Sequence, residues 1–125
     1  TARSSIASAF GGYLATIKKF LPTTVSDGVE TGGAWTSSTV DLMSEIELYG
    51  CRIKSCNSVN FTTEKSQFAL FQLKLTMVNL RYSYWLRDVC TSRAFAIHSD
   101  SALASLYDAS SSYGVRPVFA VKGTA

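Results

Sequence analysis

The stretch from Tyr82 to Val121 constrains the fold more than any other, because its two ends are built for strands and its middle is not. Tyr82, Tyr84, Trp85 and Leu86 open it with bulky β-favouring side chains. Val115, Val118, Phe119, Ala120 and Val121 close it behind Gly114 and Pro117. The middle is rich in Ser, Ala, Asp and Tyr, poor material for a hydrophobic core. Strings such as His98-Ser99-Asp100-Ser101 and Ser110-Ser111-Ser112 follow neither the period of a strand nor that of a helix, so several turns are expected. Loops displayed on a strand framework are a common setting for binding sites.

The rest of the chain supports one folded unit. Its 125 residues suit a single domain spanning 1–125, and 46% hydrophobic against 17% charged residues argues for a globular core rather than disorder. The net charge of +3 is modest, and apart from Lys18-Lys19 the basic residues are scattered, which argues against a nucleic-acid groove. No apolar run reaches the roughly 20 residues a spanning helix needs, so membrane insertion is not expected. Thr1 in place of Met points to a piece of a longer protein, with this domain at its C-terminal end and homo-oligomers, if any, formed through upstream domains.

Within residues 4–20, Ile6, Phe10, Tyr13, Leu14 and Ile17 recur at spacings of three and four, the mark of a helix face. Gly11-Gly12 weakens that helix and Pro22 ends it. Residues 23–33 read as a loop, and Val40 and Leu42 as alternate positions of a short strand. Ser44-Glu45-Ile46-Glu47 fits a capping box opening a short helix through Tyr49, stopped by Gly50. On that reading Glu45 and Glu47 serve capping and solvent rather than catalysis. Gln67 to Leu75 alternates well enough for a strand, with Phe68, Leu70 and, after a change of phase, Leu73 and Leu75 inward.

Three cysteines and one histidine give no zinc spacing; a local Cys51–Cys56 pair in an exported chain, with Cys90 left over, is the alternative to the favoured reading of three free thiols. No metal or other cofactor is expected. Asn60-Phe61-Thr62 is a formal glycosylation sequon.

Tyr84-Trp85-Leu86-Arg87-Asp88-Val89, followed by Phe95-Ala96, Ala104, Ala109-Ser110 and Gly114-Val115-Arg116-Pro117, resembles the C-terminal half of the variable proteins of diversity-generating retroelements, in particular those of phages of gut bacteria. Upstream words such as Ala9-Phe10-Gly11, Gly32-Gly33-Ala34-Trp35 and Leu48-Tyr49-Gly50 resemble the same family. The resemblance implies an α+β, C-type-lectin-like fold, akin also to formylglycine-generating enzymes. Two short helices would pack on a small, twisted, mostly antiparallel sheet with long displayed loops. It further implies that a reverse transcriptase rewrites adenine-rich codons, so that ligand-contacting side chains vary on a constant scaffold.

Carried onto this chain, the varied slots are Arg93, Ala94, His98, Asp100, Ser101, Leu103, Ser105, Leu106, Tyr107, Asp108, Ser111 and Tyr113. Tyr with Ser and Asp is also how antibody paratopes combine rigid contact area with adaptable hydrogen bonding. Trp85, Arg87, Asp88, Gly114 and Arg116 are read as framework, Trp85 as largely buried between Tyr84 and Leu86 and the charged ones as a fixed polar network at the loop ends.

An enzyme is not expected. His98, Ser99 and Asp100 are adjacent in sequence, but a triad requires convergence in space and an oxyanion site. The paired active-site cysteines of formylglycine-generating enzymes have no counterpart around Cys90. The carboxylate-rich words of calcium-dependent lectins are missing as well, and Asp100 with Asp108 falls short of six to eight oxygens. The expectation is a hypervariable receptor-recognition domain, displayed on a virion or other surface, that binds a bacterial cell-surface protein or glycan. A virion decoration domain without a specific ligand, or a calcium-independent carbohydrate-binding module, is the competing reading.

Overall fold

The computed structural model describes residues 1–26, 29–51, 53, 67–89, 94–98 and 103–125, with the side chains of 20–26, 29–33 and 94–97 outside that description. It is an α+β structure with short helices and small antiparallel sheets. Helix α1 (Ala2–Phe10) is capped by Thr1, whose Oγ1 accepts from the Ser4 amide at 3.2 Å. β1 (Leu14–Ala15) and β2 (Ile17–Ser26) follow a single 3-10 turn. β3 (Val29–Ser38), β4 (Val40–Leu42), α2 (Glu45–Tyr49) and α3 (Ala69–Leu73) come next. β5 (Tyr84–Val89), β6 (Ala94–His98), β7 (Ala104–Asp108) and β8 (Pro117–Val121) complete the chain.

Three sheets result. β8 lies between β1 and β4, so strands from the two ends of the chain pair directly, Leu14 opposite Val121 and Val40 opposite Phe119. The Phe10 and Phe119 rings, 5.0 Å apart, lay α1 against the same strand. β2 and β3 form a separate ribbon, and β5-β6-β7 a meander. Gly114 fastens β8's approach to that meander: its amide donates to the Ser83 carbonyl and its carbonyl accepts from the Trp85 amide. A Cβ on Gly114 would meet the Ser83 oxygen at 3.1 Å, so the close approach needs glycine.

Five expectations are corrected. The helix expected over 4–20 ends at Phe10, breaking at the Gly11-Gly12 pair expected to weaken it; Gly11 takes φ 50°, Leu14–Ala15 pair with β8, and β2 pairs with β3 from Ile17 onward. Pro22 terminates nothing; it lies in β2 opposite Gly33, next to a register shift, where a missing N–H is tolerated. Most of the loop expected over 23–33 belongs to that ribbon. The strand expected over 67–75 is helical, α3 followed by a 3-10 turn at Leu75–Val78, as befits its Ala, Leu, Gln and Lys content. Only Phe71 and Val78 are buried there; Leu70, Leu73 and Leu75 are exposed. The middle of the Tyr82–Val121 stretch, expected to turn several times as displayed loops, also supplies β6 and β7, paired from Ala94–Asp108 through His98–Ala104. Small and polar residues are acceptable in a two-sided strand whose outer face is not core.

Met43, Leu48, Phe71, Val78, Tyr84 and Leu86 form the apolar core, with Tyr49, Phe68, Leu106 and Val118 against its margin. As many polar as apolar side chains are buried among the described residues: Lys19, Ser44, Glu45, Glu47, Arg87, Asp88 and His98 join seven hydrophobic ones. A core of that composition is stable only if the polar groups satisfy one another.

Candidate functional site

The meander has two faces of opposite chemistry, and the floor of its inner face begins at α2. Ser44 caps the helix by accepting from the Glu47 amide at 3.1 Å, and the Glu47 carboxylate reaches back to the Ser44 amide. Gly50 ends the helix at φ 84°, in the left-handed region. The capping box is therefore as expected, but its carboxylates are not in solvent: Glu45 is fully buried and Glu47 is 7% exposed. The same Glu47 carboxylate accepts two bonds from the Arg87 guanidinium, at 2.6 and 3.2 Å, and one from the Lys19 ammonium. Burial alone would raise the Glu47 carboxyl, but the bonds and charges of Arg87 and Lys19 outweigh it and hold the group below its ordinary value. Burial pulls Lys19 below the ordinary lysine value, and Glu47 offsets only part of that.

Arg87 and Asp88 reach this floor because β5 departs from strict alternation. Trp85 pairs with Ile97 and Val89 with Phe95, so the register slips between them, and Leu86, Arg87 and Asp88 are all buried in succession. A bulge of this kind re-aims side chains. Arg87 also donates to the Leu42 carbonyl at 3.0 Å, and Asp88 accepts from the Glu45 amide at 2.6 Å. Arg116 acts at the other end of β5. It donates to the Val78 and Met77 carbonyls and to the Tyr84 hydroxyl, and lies over the Phe71 and Tyr84 rings.

His98 belongs with this inner layer. Expected among the displayed side chains, it is 1% exposed, paired in register with Tyr84, with its ring nitrogens on the Tyr49 hydroxyl and the Asn79 carbonyl oxygen. Asn79 Oδ1 only accepts, so Nε2 carries the proton and Nδ1 receives the Tyr49 hydroxyl hydrogen. Burial and the charge of Arg116 lower the His98 pKa, which keeps the ring neutral; burial pushes the Tyr49 phenol up, which keeps it a donor. Leu106, also expected to be displayed, packs against the core.

The outer face carries an aromatic run. Trp85 meets Tyr113 edge-on with centroids 5.2 Å apart, and Tyr113 meets Tyr107 in the same way at 5.1 Å. Tyr107 is exposed, Tyr113 and Trp85 half-buried; Trp85, expected to be largely buried, lines a shallow hollow with Leu42, Leu86 and Ala109 instead. Leu103 and Asp108 are exposed and Ser105 and Ser111 half-buried along the same strand and turn. The Asp108 carboxylate accepts from the Ser110 amide, which lowers its pKa, and the Ser111 amide donates to the Asp108 carbonyl. These bonds fix the turn out of β7. Ala94 opens β6 opposite Asp108. Arg93, Asp100 and Ser101 lie outside the described residues, as do Cys56, Cys90 and the sequon. Cys51 is a free, exposed thiol.

Sequence reasoning did not find Glu47 as the shared partner of Arg87 and Lys19, nor Tyr49 and Asn79 as the partners of His98. The available signal was Arg87-Asp88 itself, two charges inside a strand of bulky residues. Among the described residues no group of three or more His, Cys, Asp or Glu side chains comes together as a metal site.

No match was found among curated proteins or solved structures. Residues 14–123, from the first residue of β1 to just past β8 and so including every strand, match the family described as a domain of unknown function, DUF6273. Over that span, the chain belongs to the DUF6273 family.

Proposed function

We propose that this chain is a ligand-recognition domain of C-type-lectin type, resembling the variable proteins of diversity-generating retroelements, that binds a bacterial cell-surface protein or glycan without chemistry. The observation that carries this reading is the division of the meander. Its inner face is locked by a saturated polar floor, while its outer face offers Tyr107, Tyr113 and Trp85 as a connected aromatic run. Rigid aromatic groups flanked by Ser and Asp give large contact area at low entropic cost. Leu103, Tyr107, Asp108 and Tyr113 are the proposed contacts, with Ser105 and Ser111 beside them. The pairing of first and last strands through β8 supports a scaffold that tolerates change on the meander. Display on a phage particle or similar surface is part of the same proposal.

Binding rather than catalysis is favoured because the buried ionisable groups are committed to one another. Glu47 and His98 have their acceptors and donors matched by Arg87, Lys19, Tyr49 and Asn79. The test is a panel of intact bacterial cells and immobilised cell-surface glycans probed with the labelled domain. Specific binding that is lost in Tyr107→Ala supports the reading. Binding unchanged by Tyr107→Ala, or no binding to any member of a broad panel, favours the decoration domain.

A further inference from the structure

On the other side of the molecule's sequence, α3 and the 3-10 turn after it present apolar side chains that the core does not use. Leu73 is 88% and Leu75 69% exposed, and Leu70, Met77, Leu80 and Tyr82 are exposed as well. Scattered exposed leucines require no explanation, but six large apolar side chains within one short segment form a patch of the kind that marks an interaction surface. Phe71 and Val78, from the same segment, supply its anchor in the core.

The charges in this segment choose the partner. From Lys65 to Arg87 the sequence contains no Asp or Glu. Among its described residues the two exposed cations each sit between exposed apolar neighbours, as Leu73-Lys74-Leu75 and Leu80-Arg81-Tyr82. Pairing two copies through this patch would bring Lys74 and Arg81 against themselves with no carboxylate of the segment to answer them, so a second copy is disfavoured. An anionic lipid surface answers both features. Leucines enter the boundary between headgroups and acyl chains while Lys and Arg reach back to the phosphates, and a tyrosine ring suits the headgroup level. We infer that the 70–82 segment is a peripheral docking surface for an anionic phospholipid bilayer. The contact is superficial: no helix among the described residues is long and apolar enough to cross a membrane. The inference does not rest on ligand recognition by the aromatic face, which lies on the meander.

The test is co-sedimentation of the whole chain with vesicles of phosphatidylcholine alone and of phosphatidylcholine mixed equally with phosphatidylglycerol. Binding to the mixed vesicles, weakened by added salt and far lower on phosphatidylcholine alone, is expected. The double variant Leu73→Ser, Leu75→Ser should lower partition about tenfold or more, because two side chains no longer enter the lipid. Lys74→Gln with Arg81→Gln should reduce it by a similar factor on anionic vesicles only. Val121→Ser, at another exposed apolar position, should change nothing, and all variants should keep the parent melting temperature. Failure to sediment with anionic vesicles, or sedimentation indifferent to the Leu73/Leu75 pair, overturns the inference. Gel filtration showing a dimer that those serines dissolve would assign the patch to a second copy and overturn it too.

Discussion

Glu47 closes a helix cap and neutralises two cations from other elements, so its removal strands more than one partner. Glu47→Ala should cost about 3–5 kcal/mol in denaturant unfolding, the usual penalty for leaving a buried charge uncompensated. Because its pKa is lowered in the folded state, its contribution is complete above the unfolded value of about 4.3 and is lost as pH falls through the lower folded value. His98 works in the same direction at higher pH. Its folded pKa lies below the unfolded value of about 6.5, so the unfolded chain takes the proton first and stability begins to fall as pH drops through that value. Melting temperature followed from neutral to acid pH should decline in two stages, and His98→Gln should remove the first. A flat profile between neutral pH and the carboxylate range would show that His98 is not held neutral.

At the scale of elements, local signals were legible where the chain satisfies itself locally. Ser44 and Glu47 lie three apart and Gly50 follows at once, so α2 needed no distant partner to be seen. Ser44→Ala should cost about 1 kcal/mol by loss of the cap. Of the elements set by distant pairing, β4, β5 and β8 were legible from their β-favouring residues and others were not. Residues 14–20 carry a helical spacing, yet β8 draws Leu14–Ala15 and β3 draws the residues from Ile17 into strands; 67–75 alternates, yet it is helical and anchored by Phe71. The aromatic contacts of the candidate site were half legible: Tyr107 and Tyr113 were named as displayed, whereas burial of His98 depends on Tyr49 and Asn79, far away in sequence. Trp85 was expected to be largely buried from its place between Tyr84 and Leu86. Strand alternation gives the core to Tyr84 and Leu86 and leaves Trp85 on the outer face. Trp85→Ala should therefore cost about 2 kcal/mol, below the roughly 3–5 of a fully buried aromatic. A larger loss would return Trp85 to the framework.

The whole molecule joins its two ends through β8 and sets the meander beside that closure, with Gly114 and Arg116 tying the two together. Among the described residues no group of side chains gathers as a metal site, and a metal bound only by the folded chain would raise the melting temperature by mass action. Melting should be the same with and without EDTA; a marked drop would reveal a cation in the structure. The central claim is that the inner face holds the fold and the outer face is free to change. It is tested most directly by measuring melting and cell binding together on two variants of the chain. Leu103→Ala with Ser105→Ala and Tyr107→Ala should keep cooperative melting, since surface changes stay within about 0.5 kcal/mol each, and should abolish binding to the cells the parent recognises. Arg87→Ala should lower the melting temperature sharply, because Glu47 loses its bidentate partner. If the triple variant unfolds, or Arg87→Ala abolishes binding with melting unchanged, the division between the two faces is wrong.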